Sequence, residues 1–178
     1  LELVRQATAK DKFYVPLVST STPPSMDDVQ MVHLAVFGWA AKALAARAAL
    51  KMMRDDQLGA WDDVLAVHRL ARLLGHDPKF LYQYTAIFVE EIATRAGIVL
   101  ATRTSLTAAQ LRELSGKLIA LGPATDIVRA IDEGETRFFG LGEIMLASRG
   151  GGIRGISWGA QKRNEFYLDY NRMLRDMN

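Results

Sequence analysis

Apolar residues recur every three or four positions over several long stretches of the chain, which is the period of an amphipathic helix. The first such stretch predicts a helix over 26–53, with Ser25 as a suitable N-cap ahead of it. Its apolar stripe consists of Leu34, Phe37, Ala41, Leu44, Ala48 and Met52. A run of alanines between 40 and 49 leaves little side-chain bulk, so another helix can approach this one closely.

The next two predicted helices are separated by Gly75, a residue type that commonly follows a helix end. The first of them covers about 59–74. The other covers about 78–102, where Asp77 is a candidate N-cap and Pro78 suits the first helical position. This third helix is apolar on most of its circumference, and the charges inside it argue against a membrane span. We therefore expect it to be the central buried helix.

The second half of the chain contains three further helix signals. Thr107 and Gln110 form the capping-box pattern that opens a fourth helix, which ends near Gly122. A fifth helix is predicted from residue 125 or 126 to about 148, and a last one from about 169 to the end. We find no pair of stretches with the pattern of paired strands.

These helices predict an all-α fold of antiparallel helical hairpins, with about five to six helices arranged as a bundle or a short α-solenoid. The chain is interpreted as a single domain, 1–178. Residues 1–25 form the end of a helix and an extended, looped lead-in, 26–148 form the helical core, and 149–178 form a glycine-rich loop and a C-terminal helix. The first hairpin also matches a tetratricopeptide-type spacing over about one repeat.

Composition excludes several classes of protein and site. With 49% hydrophobic and 24% charged residues, the 178-residue chain is globular and not intrinsically disordered. It has no cysteine, which excludes disulfides, thiolate catalysis and thiolate metal sites within it. Residues 149–178 hold six Lys and Arg against three Asp and Glu, and the excess indicates either a solvated basic surface or weak affinity for anions.

Three stretches, 45–75, 106–123 and 168–174, together resemble an uncharacterised family of helical proteins abundant in planctomycete bacteria. Where that family usually has an Asp-Trp pair, this chain has Asp169 and Tyr170. The family has no assigned activity, so the resemblance implies a helical fold and no reaction. Many members resemble longer chains with an apolar N-terminal segment. The resemblance therefore implies a soluble piece of a membrane-anchored bacterial protein and leaves its compartment open.

A glycine-rich stretch near the end of the chain offers candidate ligand-binding residues. They are Arg149, Gly150, Gly151, Gly152 and Arg154. With Gly155 they spell the G-x-G-x-x-G of dinucleotide sites, but that motif needs a strand before it, and a helix is predicted there. The stretch is interpreted either as a connector or as a loop whose backbone N–H groups and arginines hold a phosphate.

The segment 155–159 spells the G-x-S-x-G of hydrolase nucleophile elbows, with Ser157 as the nucleophile. That chemistry needs a histidine later in the chain, whereas His33, His68 and His76 all precede it. Hairpin geometry also separates His33 from His68 by about 18 Å along the helix axis, at about 1.5 Å per residue, so they do not share a metal. We expect His68 to pair with a neighbour on its own helix, Asp63 or Arg72.

Glu90 and Glu91 lie in the helix predicted to be most buried, but the chain contains no Glu-x-x-His for a di-iron site. Glu91 and Arg95 have the spacing of an ordinary ion pair on a helix. An aromatic group in the same helix could stack on bases, but it is flanked by few basic residues, and core packing is the favoured interpretation. It comprises Phe80, Tyr82, Tyr84 and Phe88.

No catalytic constellation, metal site or cofactor site emerges from the sequence. The favoured interpretation is a non-catalytic helical domain that binds another protein or acts as a scaffold, without contact to nucleic acid or membrane. The alternative is a small-ligand or phosphate-binding domain that uses 150–155, and an enzyme of unidentified class comes third. The first interpretation predicts an exposed apolar or tyrosine-rich groove.

Overall fold

The computed structural model of the protein describes residues 1–16, 18, 34–77, 79–129, 132 and 172. Within these residues the only regular elements are helices, and the predicted all-α fold is confirmed. In chain order they are α1 (Glu2–Ala7), α2 (Ala35–Met53), α3 (Gln57–Gly75), α4 (Phe80–Ala101), α5 (Ala108–Ile119) and α6 (Ile127–Arg129).

Helices α2, α3 and α4 pack against one another and form the centre of the fold. Each reverses the direction of the one before it, so α2 and α4 run parallel, with α3 antiparallel to both. The turn between α2 and α3 is made by Asp55, which has a left-handed φ of 62°, and by Asp56, whose carboxylate accepts a bond from the Gly59 amide. A Cβ at Gly59 would fall on that carboxylate, so a larger residue there would require the exposed Asp56 side chain to move.

The most buried helix is α3, and the prediction that α4 is the central helix is wrong. Twelve of the 19 residues of α3 are buried, against seven of 22 in α4. The reason is position: α3 packs between α2 and α4 and also contacts α5, whereas α4 packs mainly against α2 and α3, with a smaller contact to the short α6, and keeps exposed apolar side chains. The apolar circumference of α4 therefore includes an exposed face as well as a core face.

The N-terminal residues complete one end of the core. After α1 the described residues up to 16 form no helix or strand. Phe13 lies edge-on to Phe37 with ring centroids 5.6 Å apart and contacts the ring of the fully buried Tyr82 at 5.9 Å. Val4 and Val15 pack against the same cluster. The aromatic contacts join the start of α2 to the start of α4, which fixes the two parallel helices at this end.

Local capping signals predicted some helix ends correctly. The capping box of α5 is present, with the Thr107 hydroxyl accepting from the Gln110 amide and the Gln110 side chain accepting from the Thr107 amide. The predicted N-cap Asp77 is wrong, because α4 begins two residues later with Lys79 as its N-cap. The Asp77 carboxylate instead accepts bonds from the Lys79 amide at 3.0 Å and the Lys79 ammonium at 2.7 Å.

Several predictions fall on residues outside the described part of the chain. These are the Ser25 cap, the helix start before residue 34, the Pro78 position, the helix beyond residue 129 and the C-terminal helix. Among the helices that the structure describes, none is long and apolar enough to cross a membrane.

Candidate interaction surface

Two neighbouring cavities lie between α2 and α4, and we call them together the α2/α4 groove. Its larger part has a volume of about 650 Å³ and lies beside the C-terminal halves of both helices. Small side chains line much of it: Ala45, Ala48, Ala49 and Ala96. Larger apolar side chains surround them: Met52, Met53, Ile92, Val99 and Leu100. Two arginines, Arg95 and Arg103, complete the lining.

A smaller part of the groove, about 280 Å³, lies beside the N-terminal halves of the same two helices. Trp39 and Tyr84 line it with 66% and 60% of their surface exposed. Phe88 also lines it, and the Lys42 ammonium lies 5.5 Å from the centre of that ring. A Cβ at Gly38 would stand 3.2 Å from the Phe88 ring, so this glycine lets the ring lie close to the α2 backbone.

The charges around the α2/α4 groove are mostly positive. Arg95 pairs with Glu91 four residues earlier, as predicted, and both side chains are exposed. Arg103 and Lys42 form no ion pair with any residue that the structure describes. Within the described part of the chain, three cations and one carboxylate therefore border an otherwise apolar surface.

A buried ionic cluster holds α2 against α3 on the other side of α2. The fully buried Asp63 carboxylate accepts bonds from Arg47 Nε at 2.8 Å and Nη2 at 2.6 Å, and Lys51 Nζ lies 3.0 Å away. The sequence reasoning missed this cluster. Hairpin register could have found it, because folding the chain near residue 55 brings 47 opposite 63.

A second ionic cluster joins α3 to α4. Glu90 contacts His68 Nδ1 at 3.0 Å and accepts two bonds from the Arg72 guanidinium at 2.9 and 3.2 Å. Burial alone would raise the pKa of the Glu90 carboxyl, but the bonds with His68 and Arg72 outweigh burial and hold that pKa below its usual value. The expectation that His68 pairs within its own helix is wrong, because its partner comes from the next helix.

The turn from α3 to α4 holds buried polar groups that stabilise it. Burial raises the pKa of the Asp77 carboxyl, and the bonded Lys79 ammonium opposes that rise. Gln83 donates to the carbonyl oxygens of Gly75 at 2.6 Å and Asp77 at 2.8 Å. These bonds satisfy backbone carbonyl groups at and just after the C-terminal end of α3. The cluster therefore has a structural role and not a chemical one.

The described residues contain no group of three or more His, Cys, Asp or Glu side chains that could hold a metal ion. Each ionic cluster contains no more than two carboxylate or histidine groups, together with basic residues. All the contacts described for these clusters lie between helices or within a turn. Their geometry supports packing of the bundle.

The other candidate residues are partly outside the described chain. The glycine loop with its arginines, Ser157 and His33 lie there, and their roles stay predictions. Among the aromatics of α4, core packing is confirmed for Tyr82 and wrong for Tyr84 and Phe88, which line the groove.

Comparison with known proteins gives no relative: no protein family, curated protein or solved structure matches the chain. The planctomycete resemblance accordingly stays a prediction, and function is argued from the groove itself.

Proposed function

We propose that this domain is a non-catalytic interaction module that binds an amphipathic helix of another protein in the α2/α4 groove. The observation that carries the proposal is an apolar groove that the described residues leave open between two parallel helices. Large contiguous apolar patches are rare on the surfaces of monomeric proteins and mark interaction sites. Removing such a surface from water is the main favourable term in protein association.

The dimensions of the groove fit a helix. The 19 residues of α2 span about 28 Å at about 1.5 Å per residue, which is the length of a bound helix of about five turns. The alanines along the groove allow a partner backbone to approach closely. Apolar side chains at i, i+3, i+4 and i+7 of the partner would then contact methionine, isoleucine and valine, which is the usual pattern of helix recognition in a groove.

The charges favour a foreign helix over a second copy of this chain. In a two-fold symmetric dimer through this surface, the same patch of each copy faces the other, so each positively charged border meets a surface with the same excess of cations. Among the described residues of the groove, Arg95, Arg103 and Lys42 outnumber the single carboxylate, so such a dimer brings like charges together. A partner helix that carries carboxylates beside its apolar stripe satisfies both the apolar and the charged parts of the groove.

The proposal is tested with a matched pair of surface variants and a model peptide. Val99 in the groove and Leu111 on α5 are equally exposed, at 50% and 49%, so Val99→Lys and Leu111→Lys introduce the same charge at the same solvent exposure. The probe is a labelled 20-residue helical peptide with leucines at helical spacing and glutamates beside them. By fluorescence anisotropy, Val99→Lys should weaken binding at least about tenfold, because an ammonium is desolvated against leucine, and Leu111→Lys should leave it unchanged.

Two other occupants of the groove would give different results. A second copy of the chain would appear in sedimentation as a dimer that Val99→Lys dissociates. A segment of the same chain would make Val99→Lys unfold at much lower denaturant than Leu111→Lys, and the peptide would not bind. Either result, or equal peptide binding by both variants, would contradict the proposal.

A further inference from the structure

We infer that the partner helix lies antiparallel to α2 and α4, with its carboxylates in the N-terminal turns beside Arg95 and Arg103. This inference rests on the proposed function. It names the partner's charge pattern and direction, which the proposed function leaves open.

The cations are distributed unevenly along the α2/α4 groove. Arg103 follows α4, and Arg95 lies eight residues earlier, about 12 Å along the helix axis at about 1.5 Å per residue. At the opposite end of the groove, the cation that the structure describes is Lys42, which is held over the Phe88 ring. Carboxylates spaced by seven or eight residues on one face of a partner helix would meet the two arginines.

The dipoles of α2 and α4 favour an antiparallel partner helix. Because α2 and α4 are parallel, their C-termini at Met53 and Ala101 lie at the same end of the groove, and each carries partial negative charge there. A partner helix that runs the other way places its positive N-terminus beside both. Antiparallel packing also makes the partner the fourth helix of an up-down-up-down bundle with α2, α3 and α4.

One set of carboxylates on the partner can both stabilise its own helix and pair with the arginines of the groove. Asp and Glu in the first turn stabilise a helix through its own dipole, whereas the same residues in the last turn destabilise it. An antiparallel partner with acidic first turns therefore gains helix stability, and the same carboxylates pair with Arg95 and Arg103, whose full charges outweigh the partial negative charges at the C-termini of α2 and α4. A parallel partner would bring its acidic first turns to the Lys42 end, away from the arginines.

The test uses two peptides of identical composition and apolar stripe. One has glutamates in its first two turns and lysines in its last two, and the other has these charges exchanged. Each exposed ion pair changes affinity by about two- to fivefold, so the acidic-start peptide should bind the full chain about 5- to 20-fold more tightly. In Arg103→Glu the preference should shrink or reverse. Arg112→Glu on α5 makes the same charge change away from the groove and should preserve it.

Direction is measured separately with a quencher on one end of the acidic-start peptide. Trp39 lies in the N-terminal half of the groove, so a C-terminal quencher should reduce its emission and an N-terminal quencher should not. The Trp39→Phe variant identifies that signal. Stronger quenching from the N-terminus, or equal affinity of both peptides while Val99→Lys still blocks binding, would overturn the inference and leave the proposed function standing. If neither peptide binds, both fail.

Discussion

Replacing Asp63 with asparagine tests whether the buried ionic cluster holds the α2–α3 hairpin together. The asparagine keeps the shape of the side chain but removes the charge that faces Arg47 and Lys51. Breaking one partner out of a buried ion pair costs about 3–5 kcal/mol, whereas losing an exposed pair costs about 0–1 kcal/mol. We expect a loss of unfolding free energy between these limits, because the two cations are only partly buried.

Asp63 is fully buried, but the side chains of Arg47 and Lys51 keep 22% and 28% of their surface exposed. Both cations can turn partly to solvent after the substitution, so we expect Asp63→Asn to lower the free energy of unfolding by about 2–3 kcal/mol. In a protein of this size that corresponds to a fall of about 4–12 °C in melting temperature.

The assay is urea and thermal unfolding of the full chain followed by circular dichroism. Asp62→Asn is the matched control, because Asp62 is the neighbouring residue on α3 and forms no ion pair with the described residues. A loss for Asp63→Asn below about 0.5 kcal/mol, equal to that of the control, would refute the reasoning.

Three further predictions concern the core, the second ionic cluster and the glycine loop. Trp61 is buried, packs with the partly buried Met52 near the α2–α3 bend and lies close to Gly97 of α4. Trp61→Ala should therefore lower the free energy of unfolding, measured in urea, by about 3–5 kcal/mol. Because the pKa of Glu90 is lowered in the folded protein, the ionised carboxylate stabilises the fold at pH values above its usual pKa near 4.5. This contribution is lost as the pH falls through the lowered pKa, so the difference in the free energy of unfolding between the wild type and Glu90→Gln should shrink in acid. If the glycine-rich stretch is a connector, phosphate should not raise the melting temperature; a rise of several degrees that Arg149→Ala with Arg154→Ala abolishes would establish the phosphate-binding alternative.

Local signals in the sequence predicted the fold class and most of the helix positions. The capping box at Thr107 and the turn before Gly59 depend on residues within one helical turn, so the sequence contains the whole cause. The start of α4 was predicted two residues early, because the Asp77 carboxylate bonds Lys79 and delays the helix. Such competition between a turn and a cap is not visible in residue spacing.

The sequence predicted that an exposed apolar groove exists, but not which helix faces form it. Apolar periodicity indicates how much of a helix avoids water and does not say which face a neighbour covers, so α4 was expected at the centre of the bundle. The same limit applies to His68, whose partner Glu90 is 22 residues away on another helix. Contacts of this range depend on the packing of α3 against α4, which follows from the whole set of core residues.

The most direct test of the central claim is amide chemical-shift mapping of the full chain with the acidic-start peptide. We predict that the shifted resonances concentrate in 34–53 and 84–103, along the whole α2/α4 groove, and that those of α5 stay in place. Shifts centred on α5, or spread evenly over the helices, would show that the α2/α4 groove is not the binding surface.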